Sequence, residues 1–206
     1  MSLFITFEGG EGSGKSYQAK ALYKRLSQLA IPVILTHEPG ATSLGEKIKR
    51  WLKWGGDIRI SPMAELLLFN ASRAQLVAEV IRPTLEEGKV VICDRYADST
   101  TAYQSYGRGL DLAKVLVVNS AATQGITPNL TILMDVPVEV GLTRKKRRRQ
   151  DRFEQEDLAF HRRVREGYLK LAKSEPKRWL IIDATQSTAK IAQTIWQKVN
   201  GLLSAR

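Results

Sequence analysis

The stretch Gly9-Gly10-Glu11-Gly12-Ser13-Gly14-Lys15-Ser16 follows the apolar run Leu3-Phe4-Ile5-Thr6-Phe7. It precedes a segment with Ala19, Leu22, Leu26 and Leu29 at helical spacing. It fits the pattern G-x-x-x-x-G-K-[ST] in the strand–loop–helix setting that a phosphate-binding loop needs. Its glycines let backbone N–H groups turn inward around a polyphosphate. The helix start beyond them adds unpaired N–H donors and partial positive charge. On this reading residues 9–16 bind ATP, Lys15 reaches the β- and γ-phosphates, and the Ser16 hydroxyl ligates Mg²⁺.

Working outward, four more short apolar runs recur at Val33–Leu35, Val90–Cys93, Thr131–Met134 and Leu180–Ile182. Near-continuous apolarity suits strands of a parallel sheet covered on both faces. The segments between them read as helices. Ser61-Pro62 is a helix start, the pattern from Met63 continues to Leu85, and Gly88 stops it. Phe153–Ala172 and Thr188–Leu203 are further helical segments. Strand and helix alternate, so the expected class is α/β: a P-loop NTPase fold with a five-stranded parallel sheet flanked by helices. No linker, repeat or boundary divides the chain, and residues 1–206 are read as one domain.

The 206 residues, 43% hydrophobic and 26% charged, are those of a globular chain rather than a membrane or disordered one. No apolar stretch is long enough to span a bilayer, and the N-terminus has no secretory pattern. The expected location is cytoplasmic. The single cysteine, Cys93, lies in an apolar strand and reads as a small buried hydrophobe. More than half of the +11 net charge is one run, Arg144-Lys145-Lys146-Arg147-Arg148-Arg149. A concentrated run implies a single local anionic target or a solvated face, not a spread nucleic-acid surface.

In open α/β sheets ligands sit beyond the C-terminal ends of the strands. Three strands end there in Glu8 and the phosphate loop, in His37-Glu38-Pro39-Gly40, and in Asp94-Arg95-Tyr96. Asp94 after four apolar residues reads as a magnesium-holding acid, with a structural pair to Arg95 as the alternative. Asp135 is a weaker second candidate. Arg95 offers a bidentate donor to a phosphate. Phe69 and Arg73, four apart, share a helix face and suit a planar base, or else a core ring and a surface cation. Ser99–Gly109 gathers hydroxyls, Tyr103, Gln104 and Arg108, as a specificity segment or a polar helix start. The basic run and the following Asp151-Arg152-Phe153-Glu154 read as a lid over about 143–156. Such a lid would bring an Arg to the transferring phosphoryl group.

Together these segments resemble the thymidylate kinase family, in its bacterial form. The elements that carry the resemblance are F-E-G-G-E-G-S-G-K-S, H-E-P-G-A-T, L-L-L-F-N-A-S-R-A-Q, D-R-Y-A-D-S-T-T-A-Y-Q and D-R-F-E-Q-E. The resemblance implies a nucleoside monophosphate kinase-like fold, Mg²⁺-dependent transfer from ATP to dTMP, and a homodimer without nucleic-acid or membrane partners. It implies a dTMP site of Glu11, Phe69, Arg73, Arg95, Thr100, Tyr103 and Gln104. Phe69 would stack on the base, Arg73 would bond its edge, and Tyr103 would pack on the deoxyribose. Catalytic residues would be Lys15, Arg95, Arg149 and Arg152, with Ser16 and Asp94 at the metal. Gly12 lacks the cation that some members carry in the loop, which assigns that charge to the lid. His37 replaces a common Arg, Ser72 a common Asp, Tyr17 a Thr and Ser105 a Gly. The rival readings are another nucleotide or nucleoside kinase, with Glu38 as base, and a nucleic-acid-dependent ATPase using the basic run.

Overall fold

The structure, a computed structural model, describes residues 2–55, 59–145 and 150–204. The five apolar runs form the strands β1 (Leu3–Glu8), β2 (Val33–His37), β3 (Val90–Asp94), β4 (Leu130–Asp135) and β5 (Trp179–Asp183). They make one parallel sheet in the order β2-β3-β1-β4-β5. The chain goes to one side of β1 for β2 and β3, then crosses to the other for β4. The phosphate loop after β1 therefore sits at the switch point, where ligands bind in such sheets. Register puts Phe7, His37 and Asp94 in one row, so the residues just beyond them converge.

Strand apolarity is explained by burial on both faces. Leu3, Ile5, Phe7, Val90 and Ile92 pack against α1 (Lys15–Gln28) and α9 (Thr188–Ser204), through Leu22, Leu26, Ile191 and Ile195. Phe4, Val91 and Cys93 face the opposite way, against Leu76, Val77 and Ile81 of the long helical run. Cys93 is buried as expected, and its Sγ–H donates to the Arg95 carbonyl.

Ser61 starts the long helical run as expected, its Oγ accepting from Ala64 N, with Pro62 at the first position. The run comprises α3 (Pro62–Leu76), a wide-turn segment Val77–Ile81 and α4 (Arg82–Glu86). The wide turn precedes Pro83, which lacks an N–H and collides with the carbonyl four residues back; opening the turn relieves that collision. Ser43–Trp54 forms α2, capped by Thr42. Ala97–Thr100 (α5) opens into a second wide-turn segment, Thr101–Gly107. Helices α6 (Leu112–Thr123) and α7 (Val138–Lys145) flank β4 in the chain. One boundary differs from the sequence reading: the helix expected from Phe153 begins at Leu158, as α8 (Leu158–Ser174). Asp157 Oδ1 caps it at Phe160 N, and Asp151 Oδ1 accepts from Phe153 N and Glu154 N, holding 151–156 in a turn instead.

Glu8 closes β1 as a wholly buried carboxyl, accepting from Tyr96 N at 2.8 Å and Tyr168 OH at 3.1 Å, and from the Ser99 hydroxyl. Burial and neighbouring Asp98 push it up to about 7, against the lowering effect of Ser99, Arg95 and Tyr96. The folded chain therefore holds a proton that the unfolded chain has released, and stability falls as pH rises from 4.5 to about 7. Glu8→Gln keeps the acceptor for Tyr96 and can donate to the hydroxyls. It is expected to raise Tm by several degrees at about pH 8 and little at about pH 4.5. An equal shift at both pH values would contradict the buried charge.

Candidate active site

The loop after β1 turns through Gly9, Gly12 and Gly14, whose φ angles are 138°, 66° and 87°. At Gly12 a side chain has no room: an added Cβ would lie 1.9 Å from the Gly141 carbonyl oxygen of α7. The missing cation at this position thus has a steric counterpart, since the α7 backbone rests directly on the loop. Lys15 Nζ donates to the Gly10 carbonyl at 2.7 Å and to Ser13 Oγ at 3.2 Å, curling back over the loop. Its amine is lowered to about 8, chiefly by burial and then by Arg95, partly offset by Glu11, Asp94 and Glu8. The Ser16 hydroxyl donates to Asp94 Oδ2, so the two expected metal ligands touch. Asp94 does not pair with Arg95. Asp135, the weaker metal candidate, is occupied by a bidentate pair with Arg165 at 2.7 and 2.8 Å.

Arg95 spans the boundary between this loop and a second cleft. Its backbone is left-handed, φ 73°, with its N–H donated to the Phe7 carbonyl at 3.0 Å. Such a conformation is strained for a residue with a Cβ and concentrates at functional sites. Nη2 donates to Glu11 Oε1 at 2.7 Å and Tyr103 OH at 3.2 Å; Nη1 donates to the Gly9 carbonyl, Ser99 Oγ and Tyr168 OH. Tyr103 OH also donates to Glu11 Oε1 at 2.8 Å. Burial raises the Glu11 carboxyl, but Arg95, Lys15, the Tyr103 bond and Lys145 outweigh it and hold it well below the usual range.

Glu11, Phe69, Arg73, Arg95, Thr100, Tyr103 and Gln104, all expected at one site, do line this one cleft. The wide-turn segment brings Tyr103 and Gln104 to it. Arg73 is 1% exposed and neither a surface cation nor free. It donates to Glu38, Asn70, Asn119 and Thr100 at 2.8 to 3.0 Å, and its Nη2 lies 2.7 Å from Glu38. Glu38 is therefore Arg73's counter-ion rather than an unengaged base. Ser72 ties Gly40 N to the same helix at 3.2 Å, in place of an acidic side chain. His37 bonds Glu46 and Lys49 at 3.1 Å each, at the edge of the phosphate groove.

The lid differs most from expectation. Arg152 does not reach the phosphate loop. Its Nε donates to the Leu52 carbonyl at 3.1 Å, its backbone N to the Lys53 carbonyl at 3.3 Å, and its Nη2 pairs with Glu65. The reason is electrostatic: the carbonyls of the last turn of α2 and a carboxylate only 1% exposed both attract the cation. Lys53 Nζ pairs with Asp151 at 3.0 Å, and the Phe153 ring lies 5.6 Å from Phe69, centre to centre. Arg149 lies outside the described residues. Among the described residues, Arg144 and Lys145 are the cations of this segment that line the phosphate groove, a space of about 860 Å³. Arg144 donates to the Gly12 carbonyl at 3.3 Å, and Lys145 lies 2.7 Å from Glu154 and 3.9 Å from Glu11.

Sequence reasoning missed Glu65 and Tyr168. Glu65 looks like an ordinary first-turn acid at a helix N-terminus, and Tyr168 like one aromatic of an amphipathic helix. Each acquires its role only from partners distant in sequence.

The thymidylate kinase family model matches residues 7–195. A thymidylate kinase from Dehalococcoides mccartyi is 54% identical over 98% of each chain. One from Deinococcus radiodurans is 49% identical over 96% of each. The crystal structure of thymidylate kinase from Ehrlichia chaffeensis superposes with a TM-score of 0.74 at 36% identity, covering 88% of this chain and 92% of that one. The match of the family model over residues 7–195, with relatives such as these along nearly the whole chain, places this chain in the thymidylate kinase family.

Proposed function

We propose that this chain transfers the γ-phosphoryl group of ATP to the 5′-phosphate of dTMP, giving ADP and dTDP, a step of dTTP synthesis. The observation that carries the reading is the continuity of the two sites. Lys15 and the Ser16–Asp94 pair stand at the donor end, Glu11, Tyr103 and Gln104 at the acceptor end, and Arg95 between them. An acceptor phosphate is already anionic near neutral pH, so no strong general base is needed. What the protein supplies is alignment and charge neutralisation. Phe69 offers the base a ring, Arg95 offers the acceptor phosphate a guanidinium, and Tyr103 would pack on the sugar.

Ser16 and Asp94, a hydroxyl and a carboxylate in contact, form a donor set suited to Mg²⁺, which keeps most of its positions for water and phosphate oxygens. Bound there, the ion neutralises charge on the β- and γ-phosphates. Of the lid cations, Arg144 and Lys145 serve the donor groove, Arg149 is our choice for the transferring phosphoryl group, and Arg152 is assigned to lid docking. A homodimer is supported by α3 and α6, which pack together and leave Met63, Leu67, Leu116 and Val117 exposed. We place the enzyme in the cytoplasm without a nucleic-acid or membrane partner; no described helix is long and apolar enough to cross a membrane.

Lys15→Ala is expected to lower kcat ~10²-fold or more with dTMP affinity nearly unchanged. Near-normal turnover would sink the loop assignment. Polyphosphate at Lys15 raises its depressed pKa, so ATP binding takes up a proton above about pH 8. Calorimetry in buffers of different ionisation enthalpy should register that uptake, shrinking toward about pH 7. A heat independent of buffer at the higher pH would count against it. In the free chain the same depressed amine costs stability below about 8, a cost that fades toward 10.5. Arg149→Ala should cost kcat ~10³-fold, whereas Arg152→Ala should mainly raise the KM for dTMP, by about tenfold. The reverse ranking would return Arg152 to the phosphoryl group.

A further inference from the structure

Arg95 is held at two edges. Its Nη2 bonds Glu11 and Tyr103, which line the acceptor cleft. Its Nη1 donates to the Gly9 carbonyl at 3.2 Å, to Ser99 Oγ at 3.1 Å and to Tyr168 OH at 3.2 Å. A guanidinium only donates, so both hydroxyl oxygens accept from it and send their own hydrogens elsewhere. The two oxygens lie 2.8 Å apart, and that contact uses one hydrogen at most. Glu8 takes what remains: its Oε2 accepts from Ser99 and, at 3.1 Å, from Tyr168. Its Oε1 accepts from Tyr96 N at 2.8 Å. Each of these partners of the wholly buried carboxyl is a donor.

Hydrogen-bond polarity thus runs one way, from Arg95 through Ser99 and Tyr168 to Glu8. Only a carboxylate offers acceptors to Tyr96 N–H and to the hydroxyls at once. An amide in its place sets an N–H against one or the other, and hydroxyls that accept from it leave their hydrogens to turn toward Arg95. Ser99 lies on α5 and Tyr168 on α8, so the bonds also depend on how closely α8 packs on the segment that continues α5. Two glycines permit the close approach. A Cβ at Gly167 would lie 2.7 Å from the Tyr106 ring, and one at Gly107 would lie 2.7 Å from the Phe160 ring. We propose that Glu8 and Tyr168 are positioning residues for the acceptor phosphate: acting through the hydroxyls, they hold the Nη1 edge of Arg95 and keep its guanidinium aimed across the cleft. This rests on the dTMP reading above. Glu8 is 0% and Tyr168 1% exposed, so both act through Arg95 and not by touching a substrate.

The test measures binding of dTMP and of thymidine to the full-length wild type, Tyr168→Phe and Glu8→Gln, by calorimetry at about pH 8, where Glu8 is ionised. Thymidine lacks the phosphate that Arg95 meets, so the ratio of thymidine Kd to dTMP Kd reports the phosphate contact. The ratio should fall about tenfold in each variant, while the thymidine Kd stays within about twofold. Tyr168→Phe keeps the ring, which packs edge-on to Tyr103 at 6.3 Å, and removes only the hydroxyl. Glu8→Gln should weaken dTMP even while it raises Tm, which separates positioning from stability. If these residues were only structural, both ligands would weaken together and the ratio would stand; an unchanged ratio in either variant overturns the proposal. Should Glu8→Gln not fold, Tyr168→Phe decides by the same ratio. A wild type that binds neither ligand would instead refute the dTMP reading itself, before any variant is compared.

Discussion

The Arg95 guanidinium is the constraint on which the rest of the site depends. It joins the Gly9 carbonyl and Glu11 of the donor loop to Ser99, Tyr103 and Tyr168 on the acceptor side. The backbone of Arg95 is turned left-handed at the end of β3. The strain is held by the Phe7 carbonyl and by the Glu8 carboxylate, which takes the N–H of Tyr96. Orientation of that kind supplies a large share of the acceleration in phosphoryl transfer.

Around this link the protein buries charge in opposed pairs. Arg73 with Glu38 and Arg95 with Glu11 line the acceptor cleft, and Arg108 and Arg152 pair with Glu65 beside it. Burial makes each ion costly alone, so each fixes the direction of every dipole near it. Thr100 accepts from Arg73, and the Gln104 amide donates to Glu65. The lid joins the same network. Arg152 docks on Glu65, and Phe153 packs beside Phe69, so the segment that encloses the donor groove also walls the acceptor cleft.

Much of this was legible in the sequence because the signals are local. A glycine loop between an apolar run and a helical period needs no distant partner to be recognised. The strands ran one or two residues beyond their apolar runs, since the polar residue at each end still pairs in the ladder. The helix from Ser61 was read through Pro83 correctly, although the widened turn that accommodates the proline was not. The lid was read less well. A run of consecutive cations fixes no register, and only Glu65 and the carbonyls of α2 draw Arg152 away from the phosphate groove. The helix expected at Phe153 failed for a similar reason: Asp151 and Asp157 compete for the backbone N–H groups.

The sequence by itself determined the α/β class, the phosphate loop, the strand-end acids and the set of residues that gather at the acceptor cleft. The first three follow from spacing, periodicity and backbone chemistry within a few residues; the cleft residues follow from the family resemblance. Only the tertiary structure decided which ion each side chain meets. Gly12 carries no cation because α7 lies against it, Arg73 is a buried hub and not a surface charge, and Gln104 is oriented by a carboxylate 39 positions away. Coulomb and hydrogen-bond energies depend on distance in space, and a parallel sheet brings together residues that the chain keeps far apart.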